Sequence, residues 1–163
     1  MENIEYLTNI WNKEWNDIIR YVLFADEGLK QLMELPEGTT IINFIDNYFV
    51  RGGSANRVLS DQKVRIIYGH IRPTELDNTP YVNENTLSFD IYVKNEELHN
   101  IPFTYDRLEM RTQAIADRLK YLLTRNRYTT ELYRFRCIGE TDLATSTIGY
   151  SRYNISFKYL KVV

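Results

Sequence analysis

The residues of this chain with types suited to chemistry are few and scattered. The stretch Arg51-Gly52-Gly53-Ser54-Ala55-Asn56-Arg57 is the first candidate, because adjacent backbone amides between arginines can surround an anion. A phosphate-binding loop sets its glycines apart, follows a strand and runs directly into Gly-Lys-Ser/Thr at a helix start. Here the glycines are adjacent, no Gly-Lys-Ser/Thr follows, and the next residues alternate in polarity like a strand. The dinucleotide fingerprint G-x-G-x-x-G is absent as well. The stretch is therefore expected to be a junction loop whose glycines supply backbone freedom, with Arg51 and Arg57 placed to touch a partner or a phosphate.

Other reactive side chains lack companions at useful spacing. The two histidines, His70 and His99, fall at a strand end and in a loop, with no C-x-x-C or H-x-x-x-H pattern near them. No metal and no cofactor is expected. Cys137 alternates onto the same face as Tyr133 and Phe135, which suits a small buried hydrophobe better than a nucleophile. A G-x-S-x-G elbow is missing. The acidic pairs Asp26-Glu27 and Glu96-Glu97 fall in turns or helix ends and read as solvated surface. No catalytic constellation emerges, and the chain is expected not to be an enzyme.

What remains is a cationic stripe. At 100° per residue, Arg107, Arg111, Arg118 and Arg125 fall within about 40° of one another on a helix, beside its apolar face. Arg127, Arg134 and Arg136 extend the positive charge onto the following segment. The simplest account lays their stems along the core edge and pairs their heads with surface acids. A second account has them meet acidic residues of a neighbouring subunit. A third has them contact a nucleic-acid backbone, which a formal charge of -2 disfavours.

The elements that must position these groups follow from periodicity. Over the first third, Ile4, Leu7, Ile10, Trp11, Ile18, Ile19, Val22 and Leu23 recur at helical spacing, and Gly28 interrupts the run. Ile41, Ile42, Phe44, Ile45, Tyr48 and Phe49 form another helical stripe, with Thr39 or Thr40 as N-cap. Residues 63–71 and 86–94 alternate as strands, the second with Leu87, Phe89, Ile91 and Val93 inward. Residues 71–85, with two prolines and three asparagines, read as a long loop. Residues 104–127 read as a long helix capped by Thr104 or Asp106, with arginines gathered at its end, where they suit the helix dipole. Strands follow over 132–138 and 150–162, joined by a polar connection over 139–149. The order is helices and then β-β-α-β-β. The expected fold class is α+β, an antiparallel or mixed sheet of about four strands packed by one long helix, in a single domain. Its N-terminal helical region covers residues 1–50 and its α+β core residues 58–163.

The totals agree with one domain: 163 residues, 44% apolar and 26% charged. Thirteen tyrosines are the unusual feature, and they suit both half-buried strands and subunit contacts. A single cysteine excludes an internal disulfide, and the start "MENIEYLTNIW" has no signal-peptide pattern. No apolar run approaches the roughly 20 residues of a membrane span. A soluble protein made inside the cell is expected.

The succession of "VRIIYGHI", a Pro/Asn loop, "LSFDIYVK", the helix "DRLEMRTQAIADRLKYLL" and two closing strands resembles the tail-terminator and head-tail joining (neck) proteins of tailed bacteriophages. The resemblance covers residues 58–163 as element order and pattern. It implies a structural virion protein, made in the host cytoplasm, that assembles as a ring, commonly hexameric, at the head-tail junction. Its partners would be copies of itself, neighbouring connector and tail proteins, and DNA in the channel, touched non-specifically. The loops 71–85 and 139–149 would then contact the layers above and below. A closed ring needs two different complementary surfaces on each subunit. The stripe Arg107, Arg111, Arg118 and Arg125 and the outward acids Glu109 and Asp117 are candidates for that pair. Two alternatives belong to other classes: a nucleic-acid-binding accessory protein using the Arg107–Arg136 patch, and an enzyme whose pocket forms only through tertiary contacts.

Overall fold

Alternating strand segments come together as one mixed five-stranded sheet in the computed structural model, in the order β1-β2-β3-β5-β4. The structure describes residues 15–52, 62–71, 85–101, 110–143 and 149–161. The strands are β1 (Phe49–Arg51), β2 (Val64–Ile71), β3 (Asn85–Lys94), β4 (Tyr133–Leu143) and β5 (Tyr150–Lys161). All neighbouring pairs are antiparallel except β1 with β2, which is parallel. The α+β class holds, with short β1 added at one edge to the four expected strands.

The helices are α1 (residues 15–23), α2 (Glu27–Met33), α3 (residues 41–48), α4 (Arg111–Arg125) and α5 (Arg127–Leu132). Both α1 and α3 close on a π-turn. Two caps act through the residue types that favour them: Asp26 Oδ2 accepts from the Leu29 amide at 2.8 Å, and Thr40 Oγ1 accepts from the Asn43 amide at 3.2 Å.

Several boundaries differ from the expected ones, each for a local reason. The stripe over residues 41–49 ends one residue early, because Phe49 turns into the sheet opposite Ile66. Asn126 breaks the long helix: its extended backbone ends α4, and its side chain caps α5 by accepting from Tyr128. Residues 127–132 are thus helical. Strand β4 runs on to Leu143, well into the stretch read as a connection, after a bulge between Cys137 and Gly139. Cys137 is half-buried against the core. Thr104, Asp106, Arg107, Glu109 and Arg57 lie outside the described residues.

The strand alternation sorts the sheet into two unlike faces. On the inner face Ile66, Leu87, Phe89, Ile91, Ile155 and Phe157 are fully buried. Ile115, Ala116 and Leu119 of α4 meet them, with Leu23, Leu29 and Phe44 from the N-terminal helices. One aromatic ring per strand crosses this face in spatial order. Phe49 stacks on Tyr68 at 4.8 Å, Tyr68 lies 6.5 Å from Phe89, Phe89 lies 5.9 Å from Phe157, and Phe157 lies 6.3 Å from Phe135. Such tilted and edge-on pairs add to the burial of the rings themselves.

The outer face is polar and cross-linked. Register sets Tyr92 against Arg152, Asp90 against Asn154 and Ser88 against Ser156. Asn154 Nδ2 donates to Ser88 Oγ and Asp90 Oδ1, both at 2.8 Å, and Arg152 donates to Asp90 Oδ2 at 2.7 Å. These cross-strand bonds pin the register from the solvent side.

Candidate partner-binding surfaces

Of the arginines expected to form one stripe, the three described go to three different places. Arg111 opens α4 and is wholly buried. Its backbone amide donates to Leu98 O at 2.7 Å, and its Nε donates to Leu32 O at 2.6 Å. Its two terminal nitrogens sit 3.5 Å from Glu34 and 3.7 Å from Glu97. The same two carboxylates hold Lys63, at 3.0 Å and 3.6 Å. Two cations and two carboxylates thus form a neutral cluster where α2, the start of β2, the turn Asn95–Glu97 and α4 converge. Hydrogen bonding to Glu34, reinforced by both carboxylate charges, holds Lys63 above the usual lysine value. The Arg111 guanidinium is consumed inside the fold and offers nothing to a partner surface. The reason is what stands opposite: its Nε meets a carbonyl in the last turn of α2, where helix carbonyls lack intrahelical partners.

Glu34 reaches the cluster by an unusual backbone. It is the one non-glycine with positive φ among the described residues, at φ 49°, ψ 49°. That left-handed residue closes α2 and turns its carboxylate toward Lys63. Sequence spacing could not show this, since the four members are spread over more than 75 positions.

Arg118 makes a second internal tie. Its Nε and terminal nitrogen donate to the two oxygens of Asp26, at 2.8 Å and 2.5 Å, a bidentate clasp between α4 and the cap of α2. The guanidinium also lies 5.0 Å from the Tyr121 ring. Gly28 leaves it room: a Cβ there would stand 3.1 Å from Arg118 Nε. Asp26 and Glu97, read as solvated, are in fact largely covered partners of arginines, with side chains 12% and 17% exposed. Burial pushes the Asp26 carboxyl upward, but the bonds from Arg118 and Leu29, with the Arg118 charge, hold it below its ordinary value.

A pH prediction follows with a definite sign. A depressed folded-state pKa stabilises the fold above the ordinary aspartate value, about 3.9, and that contribution is lost as pH falls through the lower folded value. Urea unfolding between pH 7 and pH 3 should show wild-type stability falling at the acid end and a shallower fall for Asp26→Asn. Parallel curves for the two proteins would contradict the assignment.

The remaining expected contacts are dispersed. Arg125 and Asp117 are exposed, and Asp117 stands 3.9 Å from Lys120, whose main partner is Glu140 at 2.7 Å. Arg51 ends β1 opposite Tyr68, and the next amide, Gly52, donates to Tyr68 O at 2.6 Å. The glycine stretch therefore starts as an edge strand: a Cβ at Gly52 would lie 3.1 Å from that carbonyl. His99 is exposed.

Among the described residues, no group of three or more His, Cys, Asp or Glu is placed to hold a metal. An open groove of about 650 Å³ runs past Phe24, Lys30, Glu34, Pro36, Thr39 and Lys63. Two of its charged pairs are matched, Lys30 to Glu27 and Lys63 to Glu34, while Glu37 is exposed at its rim.

Among the described residues, exposed isoleucines lie near both sheet edges. Beside β1, Phe44 is the only buried residue of 41–47, while Ile42 is 66% and Ile45 40% exposed. Beside β4, Arg134 and Arg136 are exposed, and Ile138, on the same alternating phase, is 45% exposed. No helix among the described residues is long and apolar enough to cross a membrane. Comparison with known proteins gives no matching family model and no matching curated relative.

Proposed function

We propose that this chain is a structural subunit of a tailed-phage virion, forming a ring of six or more copies around the DNA channel at the head-tail junction, as a tail terminator or neck protein. The observation that carries the reading is the unequal use of the sheet. Its inner face is closed by helices, while both edges stay open among the described residues and carry exposed isoleucines. Unlike edges on one subunit are what a closed head-to-tail ring requires. The succession β2-β3-α4-β4-β5 also agrees with the element order that prompted the resemblance, with α5 added between α4 and β4. In this reading the charged groups serve architecture: Arg111, Arg118 and Lys120 tie α4 to the elements around it. No catalytic role is assigned.

Electron microscopy of the purified chain, alone and mixed with the connector and tail proteins encoded beside it, tests the proposal. Class averages with cyclic symmetry and a central opening support it. Particles of single-subunit size under both conditions refute it.

A further inference from the structure

We propose that α2 is a strap: it opens from the body of the protein as a unit while the sheet stays folded, and the arginines at its two ends are its fastenings. Helix α2 packs mainly on α4 rather than on the sheet. One face of α4 holds both of its ends. Arg118 donates to Asp26 at the N-cap, while Arg111 donates to Leu32 O and stands 3.5 Å from Glu34 at the other end. The two arginines lie two turns apart, about 10.5 Å along a helix, and Asp26 to Glu34 covers about 12 Å. The strap therefore lies antiparallel along the start of α4, and the arginine spacing matches its length.

Burial of Leu29, Leu32 and Met33 keeps the strap closed at rest. Other features favour its release. Taking Arg111 out of water offsets much of what its attraction to the carboxylates returns. Its two terminal nitrogens are buried without a hydrogen bond, a cost that hydration on opening removes. Glu34 holds a left-handed backbone, φ 49°, which it is free to leave once released. The seven residues of α2 are also too few for a lasting helix alone, since isolated helices below about 12 residues are marginal in water. Released, α2 melts rather than swinging out as a rod. The chain can part on both sides, at exposed Ala25 before the cap and at exposed Gly38, φ 78°, beyond Pro36.

Opening changes what α4 presents. Residues 26–37 carry Asp26, Glu27, Glu34 and Glu37 against Lys30, so the strap is acidic. Closed, its carboxylates occupy Arg118 and Arg111. Open, both arginines stand on one helix face beside apolar side chains that α2 had covered. The arginine stripe is thus held shut by the chain's own acids, and releasing it requires no second copy of the chain.

Hydrogen exchange read by mass spectrometry at pH 7 tests the strap on the full-length chain, with Arg118→Ala and Asp26→Asn beside the wild type. Alanine keeps α4 helical and asparagine still caps α2, so each variant removes the clasp and little else. In the wild type, peptides covering residues 27–35 should exchange at least about tenfold faster than those covering β3 and β5. In both variants that rate should rise by about a further tenfold, the size of one charge-assisted tie, with β3 and β5 unchanged. Residues 27–35 exchanging at the rate of the sheet in the wild type overturn the proposal. So do variants in which all segments speed up together, or in which the rate of residues 27–35 does not move.

Discussion

Arg111→Ala is expected to lower the unfolding free energy by about 3–5 kcal/mol, the range for removing one partner from a buried charge cluster. Three losses coincide at this position. Leu32 O loses its 2.6 Å donor, Glu34 and Glu97 are left to Lys63 alone, and a fully buried side chain leaves a void. The last of these is not electrostatic, so added salt should restore little. Arg111→Lys should recover only part of the loss, because an ammonium cannot reach a carbonyl and two carboxylates in the planar fork that arginine provides. Urea unfolding at pH 7 measures both variants. A change below 1 kcal/mol for Arg111→Ala would contradict the placement of the guanidinium inside the fold.

Phe89→Ala is expected to cost a similar 3–5 kcal/mol, by a different mechanism. Phe89 lies on the central strand, is wholly buried and stands at the middle of the aromatic row, 5.8 Å from Phe49, 6.5 Å from Tyr68 and 5.9 Å from Phe157. Truncation opens a cavity and removes three ring contacts at once. Phe89→Leu should cost clearly less, since most of the volume stays filled. Near-wild-type unfolding for Phe89→Ala would place this residue away from the centre of the core.

The pattern of these two residues shows what the sequence could reveal and what it could not. Phe89 belongs to "TLSFDIYVK", where strict alternation assigns inside and outside without tertiary knowledge. Leu87, Phe89, Ile91 and Val93 are all fully buried, and Tyr153, Ile155, Phe157 and Tyr159 share the same face. Periodicity also located α4, because its apolar face repeats at helical spacing.

Arg111 shows the opposite case. Its helical phase matches that of Arg118 and Arg125, yet the three side chains end in a buried cluster, a surface clasp and solvent. Phase fixes a direction around the helix and says nothing about what stands opposite at each turn. At the first turn those neighbours are Glu34 and Glu97, supplied by a left-handed residue and a 3₁₀ turn far away in the chain. The edge surfaces were hidden for a related reason. Ile42 and Ile45 fit a helical stripe that suggests burial, but in α3 Phe44 is buried, Ile41 and Tyr48 are half-buried, and Ile42 and Ile45 stay exposed. Ile138, by contrast, falls on the outward phase shared by Arg134 and Arg136, and its exposure is what alternation anticipates.

The central claim is that this chain acts by assembling with itself around a channel. Native mass spectrometry of the wild-type protein, alone and with its head and tail neighbours, tests it most directly. The account predicts a closed species at a fixed multiple of the 19.4 kDa subunit, six or more. A mass of one subunit under every condition, with no association with those neighbours, would contradict it.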